Sequence, residues 1–353
     1  MSNHIDHIEI TNFKSIRHQK IEGCRRINVF IGYPNVGKSN ILEAISALSY
    51  LQKDYYEPFS KLCRIKGSSE LFFDGNFQDN VIIQQSEKHK IEFRYINELS
   101  LDFNIQESYE VPIDDNGSMI LLPSWGVIKN IQFSGKDVNN YSTKLNNDIL
   151  KVKKFQFRDS YNFPDLYFSQ KTNGLTLFSP YGENLVDIIQ SHKQLRKEVS
   201  ELFIFNGLKL SIDQGNNSMK ALKQLDDETI YLIPFYQMAD TLQRLIFHKA
   251  AIMSNQDSVL LFEEPEAHMF PPYISKFTSD VIYFKTNQYF ISTHSPFVIN
   301  DFIEDAKEDL AIYLVGLENG ETIIKKMTDE QVTEVYQYGV DLFFNLESYL
   351  RNG

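Results

Sequence analysis

The stretch Gly32-Tyr33-Pro34-Asn35-Val36-Gly37-Lys38-Ser39 fits GxxxxGK[ST] over its full length. These residue types at this spacing suit a polyphosphate. The glycines let the backbone curl until successive N–H groups share one concavity, and a helix starting at its end adds partial positive charge. Lys38 would then reach the β and γ phosphates, and the Ser39 hydroxyl would ligate Mg2+. A second group is Val259-Leu260-Leu261-Phe262-Glu263-Glu264, four apolar residues running into two carboxylates. A strand's pleat sends adjacent side chains in different directions. One acid can therefore hold the metal through a water while its neighbour orients and deprotonates an attacking water. A third group is Ile291-Ser292-Thr293-His294-Ser295-Pro296, with His294 30 residues beyond Glu264. One strand–helix–strand step from the acids would set this imidazole beside the γ-phosphate.

Such groups need elements that hold them. INVFIG, from Ile27, reads as a buried strand ahead of the glycine loop, and ILEAISALSYL behind it has apolar residues at helical spacing, so the strand–loop–helix order is present. HIEITNF alternates as a strand. From Glu70 to Phe133 the runs LFFDG, VIIQQ, IEFRYI, SLDFNI and MILLP predict an inserted antiparallel β region, and KKFQFR predicts one more strand. Helices are expected between Gly182 and Phe205, followed by two short strands, GLKLSI and TIYLIPF, and a helix over ADTLQRLIFHKAAIMS. SVLLFEEPE and QYFISTHSP are continuous apolar runs separated by a helix starting near Pro272, as in parallel strands covered on both faces. AIYLVGLENGETIIKKM predicts a hairpin capping the domain, with a helix after it. The expected organisation is one discontinuous domain over 1–353: a phosphate-loop lobe over 1–66, a mainly antiparallel β lobe over 67–160, a helical insert over 161–225, and a segment over 226–353 with the acids, His294 and the cap.

Composition bounds the class. With 353 residues, 42% hydrophobic and 23% charged, and only 16 Gly and 11 Pro, the chain can bury a sizeable core. No run approaches the ~20 apolar residues of a membrane-spanning helix, and the N-terminus lacks a basic-then-apolar signal, so a cytoplasmic protein without membrane contact is expected. The 35 Lys+Arg against 47 Asp+Glu give −12, which argues against coating nucleic acid by bulk charge. Two basic clusters, Lys151-Val152-Lys153-Lys154 with Arg158 and His192-Lys193 with Arg196-Lys197, read as solvated faces, with contact to DNA as the alternative. Cys24 and Cys63 lack metal or redox spacing and read as plain thiols. The 27 Phe and 19 Tyr, many in alternating segments, point to extensive sheet.

Glu264 lies more than 220 residues past Lys38, so a long insertion intervenes. The glycine loop, the distant Glu263-Glu264-Pro265-Glu266 and the downstream Thr293-His294-Ser295-Pro296 together resemble the ABC-type AAA ATPases of the overcoming-lysogenization-defect, SMC and RecF-like group. The opening IEITNFKSI and the segment GENLVDII look like that group too, and the likeness spans nearly the whole chain. It implies an α/β P-loop fold of ABC-ATPase type, with an inserted antiparallel β subdomain and a helical subdomain. It also implies ATP and Mg2+ as cofactors and hydrolysis of ATP to ADP and phosphate. Gly32, Asn35, Val36, Gly37, Lys38, Ser39 and Asn40 would contact nucleotide. Ser39 and Glu263 would hold the metal, with Gln156 as the Q-loop glutamine. Glu264 would be the base, His294 the switch histidine, and Glu266 and His268 part of the D-loop.

Two positions depart from the group's pattern. Glu263 stands where an Asp is usual, and the signature-like run Gln237–Arg244 has no glycine. If that run works, Thr241 or Arg244 would contact a partner's phosphates, whereas Asp240 reads equally well as the N-cap of a structural helix. The resemblance further implies head-to-tail homodimers or higher oligomers. The 59 residues after His294 contain no DxD acid cluster for a Toprim nuclease, and no long heptad stretch lies between the two nucleotide motifs. A separately encoded effector is therefore expected, and the resemblance implies antiphage defence or a related DNA-linked surveillance system as the process. The rivals are a RecF-like DNA repair ATPase stimulated by duplex DNA and a weakly hydrolysing scaffold that holds an effector.

Overall fold

In the computed structural model, which describes residues 4–48, 63–86, 89–97, 100–106, 126–132, 152–155 and 176–351, the alternating run HIEITNF forms β1 (His7–Phe13), and the stretch behind it with Arg17 and His18, which reads from sequence as a short connection, forms a second strand, β2 (Ile16–Glu22). The apolar run behind them forms β3 (Ile27–Ile31), buried at every residue. The glycine loop joins β3 to α1 (Lys38–Ala47). With β1 and β2, the strands β4 (Val81–Ser86), β5 (His89–Asn97), β6 (Ser100–Gln106) and β7 (Gly126–Gln132) make an antiparallel sheet in the order β2-β1-β4-β5-β6-β7. After β8 (Val152–Phe155) come α2 (Leu185–Ser191) and α3 (Lys193–Phe205), and then β9 (Lys209–Asp213), β10 (Ser218–Gln224) and β11 (Ile230–Pro234), a small antiparallel sheet. The C-terminal part runs α4 (Asp240–Ser254), β12 (Val259–Glu263), α5 (Pro271–Tyr283), β13 (Gln288–Ser292), α6 (Pro296–Ala306), β14 (Leu310–Glu318), β15 (Glu321–Lys326), α7 (Asp329–Tyr338) and α8 (Leu346–Arg351).

The central sheet has the order β15-β14-β3-β13-β12-β8, all neighbours parallel except β15, which pairs antiparallel with β14. The period of two along each strand splits its side chains between two cores. Ile27, Val29, Ile31, Leu260, Phe262, Tyr289, Ile291, Leu310, Ile312 and Leu314 face a core shared with α4, α5 and α6. Phe30, Val259, Leu261, Phe290, Ala311, Tyr313 and Val315 face the opposite core, shared with Ile41, Leu42 and Ile45 of α1 and with Ile8, Ile10, Ile83 and Phe93 of the antiparallel sheet. That two-sided burial explains why these strands read as unbroken apolar runs. The sheet is the middle of three layers, and its carboxyl edge is where Gly32, Glu263 and His294 emerge.

Several expectations change. LFFDG forms no strand: Leu71 ends one 3₁₀ turn, Ser68–Leu71, and Phe73–Gly75 makes another, with Asp74 in the left-handed region at φ 46. Only Phe72 bridges, to Phe13. KKFQFR, assigned to the antiparallel lobe, contributes β8 to the parallel sheet beside β12. β1 and β2, assigned to the phosphate-loop lobe, lie in the antiparallel sheet. The stretch between the two expected short strands contains a third, β10. The C-terminal hairpin forms, but β14 is a core strand directly beside β3 rather than a cap. MILLP lies outside the described residues. Both cysteines are free and buried.

Candidate functional site

The loop between β3 and α1 has its backbone set by alternate left-handed residues, Asn35 at φ 63 and Gly37 at φ 102. Successive N–H groups thereby turn into one concavity at an N-terminus that carries no side-chain cap. Gly37 has no alternative: a Cβ there would lie 2.2 Å from Thr322 Oγ1 and 2.8 Å from Ser15 Oγ. Thr322 donates from Oγ1 to the Val36 carbonyl at 2.9 Å and lies 2.7 Å from Ser15 Oγ, which accepts from the Asn40 amide at 2.7 Å. The loop is thus clamped between the β1–β2 turn and the β14–β15 hairpin. Asn40 spends its side chain on this clamp, leaving its backbone N–H as the group that can face a phosphate. Lys38 lies over its own loop, donating to the carbonyls of Gly32 and Tyr33, each at 2.9 Å. Burial lowers its pKa, against the opposing pull of Glu264, Glu263 and Glu266.

Glu263 ends β12 directly beside α1, and the Ser39 hydroxyl donates to its Oε1. Arg64 Nη2 lies 3.2 Å from the same oxygen, and Lys154 Nζ, on β8, lies 3.4 Å from Oε2. Burial opposes ionisation of Glu263, but Lys154, Arg64 and the Ser39 bond outweigh it and hold the carboxyl below its ordinary pKa. Arg64 also donates from Nε to Glu43 Oε1, and Lys14 Nζ holds Glu43 Oε2 at 2.5 Å. Glu43, on α1, is fully buried.

Glu264 sits at φ 44, tied by its N–H to the Ser292 carbonyl at 2.9 Å. Its half-exposed carboxylate lies 3.4 Å from His294 Nε2. Burial and Lys38 lower the His294 pKa, with Glu264 opposing, so near pH 7 the ring is neutral. Glu266 accepts from Thr293 Oγ1 at 2.7 Å and from the His294 N–H at 2.9 Å, which ties the acid turn to the histidine turn. Its second oxygen is buried without a hydrogen-bond partner, and burial raises its pKa.

The folded chain therefore brings together Gly32, Asn35, Val36, Gly37, Lys38, Ser39, Glu263, Glu264, Glu266 and His294. Thr241 and Arg244 lie on α4 and are engaged within their own chain, Thr241 Oγ1 donating to the His268 carbonyl and Arg244 Nε to Asp240, both at 2.8 Å. The N-cap of α4 is Ala239 and not Asp240, which is the first helical residue and pairs with Arg244. Gln156, Lys151 and Arg158 lie outside the described residues. Lys153 and Lys154, read as a solvated face, are buried instead. Sequence reasoning missed Arg64, Glu43 and Thr322, which no motif marks. Lys154 was missed as well: it stands on the strand beside the acid strand, with Leu261 as its partner, a register that no spacing in the sequence announces.

A metal fits this donor set. Ser39 and Glu263 are hard oxygen donors already in contact, and Glu263 Oε2 is buried without a directed hydrogen bond. Among the described residues no cluster of three or more His, Cys, Asp or Glu could hold a metal ion by itself. Two hard oxygens of this kind would suit Mg2+, which takes few protein ligands and shares the rest with phosphates.

Residues 27–300 match the family model described as "AAA domain, putative AbiEii toxin, Type IV TA system". Among curated proteins, the DNA replication and repair protein RecF of Thermoanaerobacter sp. (strain X514) is 30% identical over 138 residues, 38% of this chain and 34% of that protein. The chain thus spans about a third of the length of the RecF relatives it matches. An ATP/GTP phosphatase of Helicobacter pylori is 22% identical over 340 residues, 85% of this chain and 86% of that one. Among solved structures, an Smc head bound to the C-winged helix domain of ScpA is 13% identical with a TM-score of 0.52, covering 94% of this chain and 99% of that one. The Smc head with an extended coiled coil, bound to the C-terminal domain of ScpA from Pyrococcus furiosus, is 12% identical with a TM-score of 0.50, covering 95% and 99%. These two share the fold. No helix among the described residues is long and apolar enough to cross a membrane.

Proposed function

Because the chain belongs to the AAA-domain family whose model it matches over residues 27–300, we propose that it is an ATP-hydrolysing subunit of ABC type that assembles with its nucleotide and governs a separate effector. The observation that carries this reading is the Ser39 hydroxyl on the Glu263 carboxylate, with the Glu264–His294 pair at 3.4 Å beside it. In this reading the amides of Gly32 to Asn40 cradle the phosphates, and Lys38 leaves its carbonyl partners for the β and γ oxygens. Ser39 and Glu263 hold Mg2+, which when bound neutralises phosphate charge. Glu264 orients and deprotonates the attacking water, and neutral His294 hydrogen-bonds the γ-phosphate region and senses its loss. Gln156 is proposed as a further ligand on the metal side.

An exposed carboxylate base suits a site that a second copy completes. Thr241 or Arg244 would reach that copy's nucleotide only by giving up His268 or Asp240. The family's printed description, a toxin of a toxin–antitoxin system, and the ScpA-bound Smc heads support a partner protein. Antiphage defence is the process we propose. The RecF relatives favour a second reading, a repair ATPase stimulated by duplex DNA.

The test measures Mg2+-dependent ATP hydrolysis and particle mass for wild type, Lys38→Ala and Glu264→Gln, with and without duplex DNA. Loss of turnover in both variants, with Glu264→Gln held as a larger ATP-bound species, is the expected result. Stimulation by DNA selects the repair reading. Nucleotide binding without wild-type turnover sinks the hydrolase and leaves a scaffold.

A further inference from the structure

Two cations beside the Ser39–Glu263 pair have no part in the turnover just described. Lys154 is only 2% exposed, and its ammonium faces Glu263 Oε2 at 3.4 Å. Arg64 spans from Glu43 to Glu263 Oε1, and Lys14 holds the other side of Glu43. These ion-paired groups comprise three positive side chains, Lys14, Arg64 and Lys154, and two negative ones, Glu43 and Glu263. Among the described residues that ion-pair with Glu43 or Glu263, positive side chains outnumber negative ones by one, with Lys38 and Glu264 close by.

A divalent cation arriving alone at Glu263 would add to that excess in a partly buried site, where Coulomb repulsion is weakly screened. It would also leave Lys154 buried beside a neutralised partner, and an uncompensated buried charge is costly. A nucleoside triphosphate brings the missing negative charge. We propose that Lys154 and Arg64 are resident counter-cations that compete with divalent metal for Glu263, so that metal binds well only together with the nucleotide. The inference rests on the nucleotide-site reading above and names two of its positioning residues. It also reassigns a lysine run that read as a solvated face, with DNA contact as the alternative.

Mn2+ binding to the full chain, read by electron paramagnetic resonance with and without a non-hydrolysable ATP analogue, tests it. Wild type should bind Mn2+ weakly alone and far more tightly with the analogue. Lys154→Met should tighten nucleotide-free Mn2+ binding by about tenfold and shrink the effect of the analogue, while Lys154→Arg should behave as wild type. Arg64→Gln, at a part-exposed position, should shift nucleotide-free binding the same way and decides the matter if Lys154→Met does not fold. Unchanged or weaker nucleotide-free binding in the folded variants overturns the proposal. Glu263→Gln separates the two readings: intact analogue-dependent Mn2+ binding in that variant removes the metal site itself.

Discussion

Glu264 occupies a left-handed backbone position that a glutamate holds only when its surroundings fix it, and here the Ser292 carbonyl does so. In the proposed role of base, its carboxylate should contribute the usual general-base factor. Glu264→Gln is expected to slow single-turnover hydrolysis by about 10²–10⁴-fold while fluorescent-ATP affinity stays within a few-fold. His248 makes a separate prediction about stability. It is buried against Phe247, Phe262 and Phe277, and burial, with Arg244 adding, lowers its pKa from 6.5 to about 3. Between those values the unfolded chain binds one proton more than the folded one, so stability falls as pH falls. The loss should reach about 2 kcal/mol between pH 6.5 and 5, measured by urea unfolding, and His248→Leu should abolish that component. Lys38, Ser39, Glu263, Glu264 and His294 were legible because each sits in a run whose neighbours announce the element. Arg64 and Lys154 were not, because their partner is fixed by the fold and not by spacing.

At the scale of elements, the glycine loop depends on a turn and a hairpin from opposite ends of the chain. Thr322→Val keeps the shape but removes the hydroxyl that holds Val36 and meets Ser15. Nucleotide affinity should fall about five- to tenfold, seen by calorimetry, with the melting temperature little changed. Helix α4 is held by Lys249, which donates to Glu198 on α3 and Asp280 on α5, each at 2.7 Å. Burial would lower the Lys249 pKa, but the two acids raise it above the ordinary value. Lys249→Met leaves those acids facing each other and should cost about 3–5 kcal/mol in denaturant unfolding. The core strands were legible as apolar runs because both their faces are covered. β10 was not, since SMKALKQ buries only Met219 and Ala221 between lysines, and Ala, Lys and Gln have weak strand preference. LFFDG misled because a short apolar run ending in Asp-Gly serves a turn as well as a strand.

For the whole molecule, the two basic clusters part company. With Lys153 and Lys154 inside, the exposed cations of the second cluster are Lys193, Arg196 and Lys197, which line a groove against Leu210 and Ile212. In the rival reading of a DNA-stimulated repair ATPase these three cations would neutralise about three phosphates, and the slope of log affinity for duplex DNA against log salt should be about −3 by fluorescence anisotropy. Reversing all three charges to Glu should remove that binding. The layered α/β class was readable from strands alternating with helices. The strand order was not, because β3 pairs with β13 and β14, made far later in the chain. That order sets a timetable. A ribosome that has completed α6 has already made every residue of the three motifs, yet the strand that flanks β3 on its other side and the hydroxyl that fastens Val36 are still unmade. The nascent chain therefore carries all three motifs before the hairpin that clamps the glycine loop, Leu310–Glu318 with Glu321–Lys326, exists to hold it.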